Sequence, residues 1–257
     1  KPAQNALNDL RGFGIVPDCV VVRTDDPAPG DIAAKIARFS GVPDDSVILL
    51  SNAHTVYEVP LTIHASGINA VLERFTGITV KPDLSKWRAL AEAQETRFPK
   101  TVKIGMVAKY LDNEDTYISV VEALKAAAWH EQVNLQLEWV SAEEGNDTDL
   151  EGLDGILVPG GFGKRGIEGK VQAATYALDT KKPYLGLCLG LQVAVIAAAR
   201  KSGLKDANST EFEPETPHNV VYIMEGQQGK ESTGGTLRLG DYPAVLTKGS
   251  VVATTYG

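Results

Sequence analysis

Cysteine and histidine are scarce. The 257 residues hold two cysteines, Cys19 and Cys188, and four histidines. So few cysteines cannot build a disulfide framework, and the chain opens without a signal-like segment, which points to a reduced, cytoplasmic setting. No apolar run approaches the roughly 18 residues needed to cross a bilayer. Positive charge is in deficit as well: the net charge of −8 and pI near 5.1 argue against a nucleic-acid or membrane-surface partner, while small anionic ligands held by local groups remain compatible. Internal repeats and low-complexity tracts are absent, as is any G-x-x-x-x-G-K-[ST] phosphate loop, and no metal-ligand set is read.

What is present alternates between strand and helix patterns. With 43% hydrophobic residues the chain can bury one large or two modest cores. A short helix at the start precedes a strand at Asp18–Arg23, a helix from about Asp31 to Phe39 and a strand at Ser46–Leu50, an order that implies a parallel sheet. Residues 76–100 are polar and punctuated, with Asp83 capping a helix and Phe98-Pro99 ending it, and read as a linker with Trp87 and Leu90 docking it onto a domain. Strands follow at Val102–Ala108 and Asn134–Val140, with a helix at Asp115–Leu124 between them. The end of the chain, Leu237–Tyr256, reads as strand-like, and Cys19 reads as inert core.

The chemistry concentrates between Asp154 and Gln192. Asp154–Val158 is a buried strand entering Pro159-Gly160-Gly161-Phe162-Gly163, and Tyr184–Leu187 carries a second strand into Cys188. Gly186-Leu187-Cys188-Leu189-Gly190 has the form of a nucleophile elbow, a reactive residue on a sharp strand-to-helix bend flanked by glycines. A thiol at a helix N-terminus is favoured as thiolate by the partial positive charge there. The backbone N–H groups of Gly160, Gly161 and Leu189 could hold the oxyanion of a tetrahedral intermediate. An isolated cysteine is more often a small buried residue, but the pair of glycine-rich turns, each ending a strand, reverses that reading. Gly161-Phe-Gly163-Lys-Arg-Gly166 is formally a G-x-G-x-x-G, yet no acidic residue closes the next strand, so the dinucleotide reading is rejected.

Val158-Pro-Gly-Gly-Phe-Gly163, Gly166-Ile-Glu-Gly169, Leu185-Gly-Leu-Cys-Leu-Gly-Leu-Gln192, Asp206-Ala-Asn-Ser-Thr-Glu-Phe212 and Gly234-Gly-Thr-x-Arg-Leu-Gly240 together resemble the CTP synthase family of class I glutamine amidotransferases, along the full length of the chain. The resemblance implies an α/β fold: the C-terminal end of a P-loop-type synthetase domain (1–75), a linker (76–100), and a class I amidotransferase domain (101–257) expected to be incomplete at its C-terminus. It implies Cys188 as nucleophile, with Gly160, Gly161, Leu189, Gly190, Leu191, Gln192 and Glu211 around the oxyanion and the substrate's amino-acid end. Lys1, Pro2, Ala3, Gln4 and Lys35 fall on its UTP/CTP segment, Ala3 standing where the family has threonine. Lys109 and Tyr110 fall near its site for GTP, the allosteric activator, and 226–235 resembles a lid.

The implied reaction is ATP- and Mg2+-dependent amination of UTP to CTP, with ammonia from glutamine, in a cytoplasmic homotetramer. The family's His-Pro-Glu motif has no match here, and His218 reads as a loop residue. The chain is therefore expected to be the middle of a longer enzyme, or one truncated at both ends, and inactive alone. The alternatives are another amidotransferase, or a non-catalytic regulatory or assembly paralogue that binds nucleotide or glutamine.

Overall fold

The computed structural model describes residues 2–25, 31–109, 111, 114–143, 150–224, 240–241 and 243–256. The chain divides into two compact units, Lys1–Arg97 and Phe98–Gly257. Both are α/β with parallel strand pairing.

In the first unit, helix α1 (Pro2–Gly12) precedes strand β1 (Val20–Thr24), helix α2 (Asp31–Ser40) and strand β2 (Val47–Ser51). β1 and β2 pair in parallel, Val20 opposite Val47, and α2 is the crossover between them. Ala37, Val42 and Val47 form its centre, with Val20, Val22, Ile36 and Leu49 packed around them. Helices α3 (Val59–Ala65), α4 (Ile68–Thr76) and α5 (Ser85–Glu95) follow. Asp83 accepts the N–H of Ser85 at the head of α5, and the Thr55 hydroxyl meets Gln94 on the helix at 2.5 Å. The helix therefore docks within this unit, through half-buried Leu90 and buried Ala91; Trp87 stays exposed, contrary to expectation. Cys19 is half-buried rather than core.

The second unit is built on a four-stranded parallel sheet: β3 (Thr101–Ala108), β4 (Asn134–Ser141), β5 (Gly155–Val158) and β6 (Tyr184–Gly186), in the spatial order β4-β3-β5-β6. Side chains alternate across it as strand geometry requires. Met106, Ala108 and Leu157 face one way, toward Val120, Val121 and Leu124 of helix α6 (Ile118–His130). Val107, Ile156 and Val158 face the other, toward helices α7 (Ile167–Thr180) and α8 (Leu189–Lys201). Arg200 of α8 forms a two-pronged pair with Glu168 of α7 at 2.7 and 3.0 Å and also donates to the Ala207 carbonyl, locking the helices together.

Short strands β7 (Ala207–Ser209) and β8 (His218–Val221) pair beyond α8, so His218 lies on an exposed strand and not in a loop. Two further expectations are corrected. A 3-10 turn at Glu114–Tyr117 delays α6 to Ile118 and the helix runs on to His130. The end of the chain contains helix α9 (Val251–Tyr256), not a strand. Among the described residues no helix is long and apolar enough to cross a membrane.

Candidate active site

The order β4-β3-β5-β6 reverses direction between β3 and β5, and in parallel sheets ligands gather at the carboxyl ends of strands beside such a reversal. Lys109 follows β3, the Pro159–Gly163 loop follows β5, and Cys188 follows β6. All three elements therefore converge on one end of the sheet.

Cys188 is exposed and has φ 54° and ψ −109°, a conformation that a Cβ disfavours and that glycine normally supplies. Close packing fixes it there. A Cβ on Gly186 would stand 2.4 Å from the Gly190 carbonyl carbon, and one on Gly190 would stand 2.0 Å from the Val158 oxygen. The Leu187 N–H bonds Val158 O at 2.9 Å, and the Tyr184 hydroxyl donates to Gly190 O at 2.7 Å. Burial pushes the Tyr184 phenol up, which keeps it a donor. The bend is thus tied to β5 and β6 on both sides of the thiol.

Leu189 opens α8 with its side chain buried, so its main-chain N–H is one of the unpaired donors of a helix start. Leu191 and Gln192 return their N–H groups to Cys188 O at 3.0 and 3.3 Å; the Leu191 side chain is exposed and that of Gln192 half-buried.

The glycine loop abuts this bend. A Cβ on Gly160 would lie 3.4 Å from Cys188 Cβ and 3.8 Å from its Sγ, and one on Gly161 would lie 3.6 Å from Leu189, 3.8 Å from Lys170 Nζ and 3.9 Å from Lys109 Cε. Neither glycine N–H meets a hydrogen-bond acceptor among the described residues. Lys109, 5% exposed, turns its ammonium inward to Phe162 O and Gly163 O at 2.8 and 3.0 Å. Glu211 accepts the Gly163 N–H at 3.4 Å, its own N–H held by Ser209 Oγ beyond β7. Cys188, Gly160, Gly161, Leu189, Lys109 and Glu211 are therefore brought around one loop. Pro2, Ala3 and Gln4 occupy the first turn of α1 in the other unit, and Lys35 is exposed on α2, paired with Asp31. Lys1, Tyr110 and 226–235 lie outside the described residues.

Sequence reasoning missed Lys170. It is fully buried on α7 and donates to Pro159 O at 3.0 Å. The signal was available: Ile167, Lys170, Val171, Ala174 and Ala177 form the buried stripe of α7, so the lysine sits where helical periodicity calls for an apolar residue.

Residues 113–256 match the family described as glutamine amidotransferase class-I, and residues 1–78 match CTP synthase N-terminus. The chain belongs to the CTP synthase family of class-I glutamine amidotransferases. Curated CTP synthases from Carboxydothermus hydrogenoformans and Rubrobacter xylanophilus are 44% and 45% identical over 264 residues, covering 100% of this chain and 49% and 48% of theirs. The chain thus spans about half the length of the curated relatives it matches. A solved Trypanosoma brucei CTPS glutaminase domain with bound acivicin is 43% identical over 50% of this chain and 52% of its own, with a TM-score of 0.46.

In this member of the CTP synthase family the buried lysines carry an electrostatic cost. Burial holds the Lys109 ammonium below its ordinary range, with the Arg165 charge adding to the effect and Glu211 opposing it. Burial, with the Lys109 charge behind it, brings Lys170 from 10.5 down to about 8, and Cys188 opposes the fall. The folded state thus resists protonating Lys170 while the unfolded chain does not. The penalty is present in full below about 8 and disappears as pH rises towards 10.5. That gap corresponds to ~3 kcal/mol. Lys170→Met removes the charge but leaves Pro159 O without its donor, a loss of about 1–2 kcal/mol. The variant is expected to be more stable than the parent at pH 7 and less stable near pH 10.5 in paired urea titrations. A stability difference that does not change with pH would contradict the buried charge.

Proposed function

We propose that this chain carries the glutaminase chemistry of a CTP synthase. The Cys188 thiolate attacks the carboxamide carbon of glutamine, and the developing oxyanion is received by the N–H groups of Gly160, Gly161 and Leu189. Collapse expels ammonia and leaves a γ-glutamyl thioester, which water cleaves to glutamate and free thiol. Glutamine and water are thereby converted to glutamate and ammonia.

The proton taken by the departing ammonia comes, in this reading, from the histidine of the family's His-Pro-Glu motif. No such motif occurs in these residues. In the whole enzyme ammonia then replaces the phosphorylated O4 of UTP, consuming ATP and giving CTP, ADP and phosphate. In this reading the ATP and Mg2+ sites belong to parts of the family's enzyme outside these residues. The UTP/CTP role of Lys1 to Gln4 and Lys35, the GTP role of Lys109 and Tyr110, and tetramer assembly belong to the same proposal.

The observation that carries it is the exposed thiol at φ 54°, packed against Gly160 on a strand-to-helix bend. A cysteine kept for packing has no need of such a conformation. Glu211 and Gln192 are proposed to recognise the substrate's amino-acid end; the bond from the Gly163 N–H to the Glu211 carboxylate and the start of α8 that Gln192 shares with Cys188 support this reading.

The test is alkylation of the full chain by a chloroketone analogue of glutamine, with the modified residue located by mass spectrometry. Cys188 is expected to be modified, with glutamine in excess protecting it. Modification that glutamine leaves unchanged, or none at Cys188, would favour a binding or assembly paralogue instead.

A further inference from the structure

We propose that Lys170 is a positioning residue for the oxyanion pocket, its buried ammonium holding the Pro159 carbonyl so that the Gly160 N–H is aimed at the oxygen of the group attacked by Cys188. The proposal rests on the glutaminase reading above and adds a residue to it.

The argument begins with one peptide unit. The Pro159 carbonyl and the Gly160 N–H belong to the same plane, and no peptide bond among the described residues is cis. In a trans peptide these two groups point in opposite directions. Fixing the oxygen on Lys170 Nζ at 3.0 Å therefore fixes the N–H on the side away from α7, where it meets no protein acceptor among the described residues. Gly160 is also the loop residue packed against the nucleophile, 3.4 Å separating its would-be Cβ from Cys188 Cβ. The free donor and the thiol thus share a corner that Lys170 supports from beneath.

The rest of the loop is held in the same manner. The Phe162 carbonyl accepts from Lys109 and the adjoining Gly163 N–H donates to Glu211, so a second peptide plane is gripped at both ends. Two ammonium groups therefore hold the loop's carbonyls inward, while the Gly160 and Gly161 N–H groups stay uncommitted. Packing alone does not require a lysine at 170. The position is fully buried in an apolar helix stripe, where a charge is costly and a hydrophobic side chain of similar volume would serve. The charged and titratable groups that act on it are Lys109, at the end of β3, and Cys188, at the start of α8.

The experiment compares two thiol reagents on the parent chain and on Lys170→Met and Lys170→Gln. The glutamine-like chloroketone passes through addition to a carbonyl, so its rate depends on oxyanion donors. Iodoacetamide forms the S–C bond and expels iodide directly, without a tetrahedral oxyanion. Loss of an oxyanion donor costs about 10²–10³-fold, and a donor that is present but misaimed is expected to cost about 10–100-fold.

Lys170→Met is therefore expected to slow chloroketone labelling of Cys188 by that factor, with iodoacetamide labelling nearly unchanged. Lys170→Gln keeps an N–H donor and is expected to recover part of the loss. Equal slowing with both reagents, an unchanged chloroketone rate, or failure of both variants to fold would overturn the proposal. A parent chain lacking glutamine-protected labelling would instead overturn the glutaminase reading, so the two failures are distinguishable.

Discussion

Replacing Gly190 by alanine is expected to cost about 3–5 kcal/mol and lower the unfolding midpoint by roughly 10 °C, at about 2–4 °C per kcal/mol for a unit of this size. The added methyl would stand 2.0 Å from the Val158 carbonyl oxygen and 2.9 Å from its carbon. These are backbone atoms at the end of a central strand, so no rotamer change can yield space. Inserted methylenes in packed interiors ordinarily cost about 1–3 kcal/mol because side chains give way. Here the strand itself must move, and with it the bond from the Leu187 N–H to Val158 O that closes the bend before Cys188. Labelling of Cys188 is expected to fall with stability.

Gly163→Ala is the control. Its φ is +76° but nothing lies within 4 Å of the new Cβ, so the cost is confined to about 1–2 kcal/mol of backbone strain. Thermal melts of the two variants decide the point. Equal losses would mean that close helix–strand approach at Gly190 does not hold the bend together.

The elements that position the site were largely legible in the sequence because their signals are local. Apolar, β-rich runs marked β3, despite Lys103 within it, and β5, and glycines at 186 and 190 marked the bend, since close approach leaves no other residue type possible there. What escaped depends on the partner surface. Val251-Val-Ala-Thr-Thr-Tyr is rich in β-branched residues and reads as a strand, yet it forms α9, a reminder that strand propensity expresses packing on a pleated surface more than backbone preference. The position of β3 between β4 and β5 is a matter of tertiary pairing that no local pattern encodes. Lys170 was passed over because a lone lysine in a helix normally lies on its solvated face; only its register with Ile167, Val171 and Ala174 places it inside.

The strain at Cys188 leads to the second large effect. At φ 54° and ψ −109° a residue with a Cβ is held in a conformation that costs on the order of 1–3 kcal/mol, and the surroundings over-determine it. Cys188→Gly removes that strain, and the exposed side chain leaves no buried cavity behind. Glycine adds freedom to the unfolded chain worth about 0.5–1 kcal/mol, so the net expectation is a gain near 1 kcal/mol. Cys188→Ala keeps the Cβ and with it the strain, and is expected to match the parent. Both variants should lose glutamine-protected labelling entirely. Urea titrations of the three chains measure the difference. A glycine variant no more stable than the alanine variant would show that no strain is stored at the bend. A more stable but unreactive glycine variant would identify the stability given up to present the thiol, the trade expected where a fold holds a nucleophile in a conformation it does not favour.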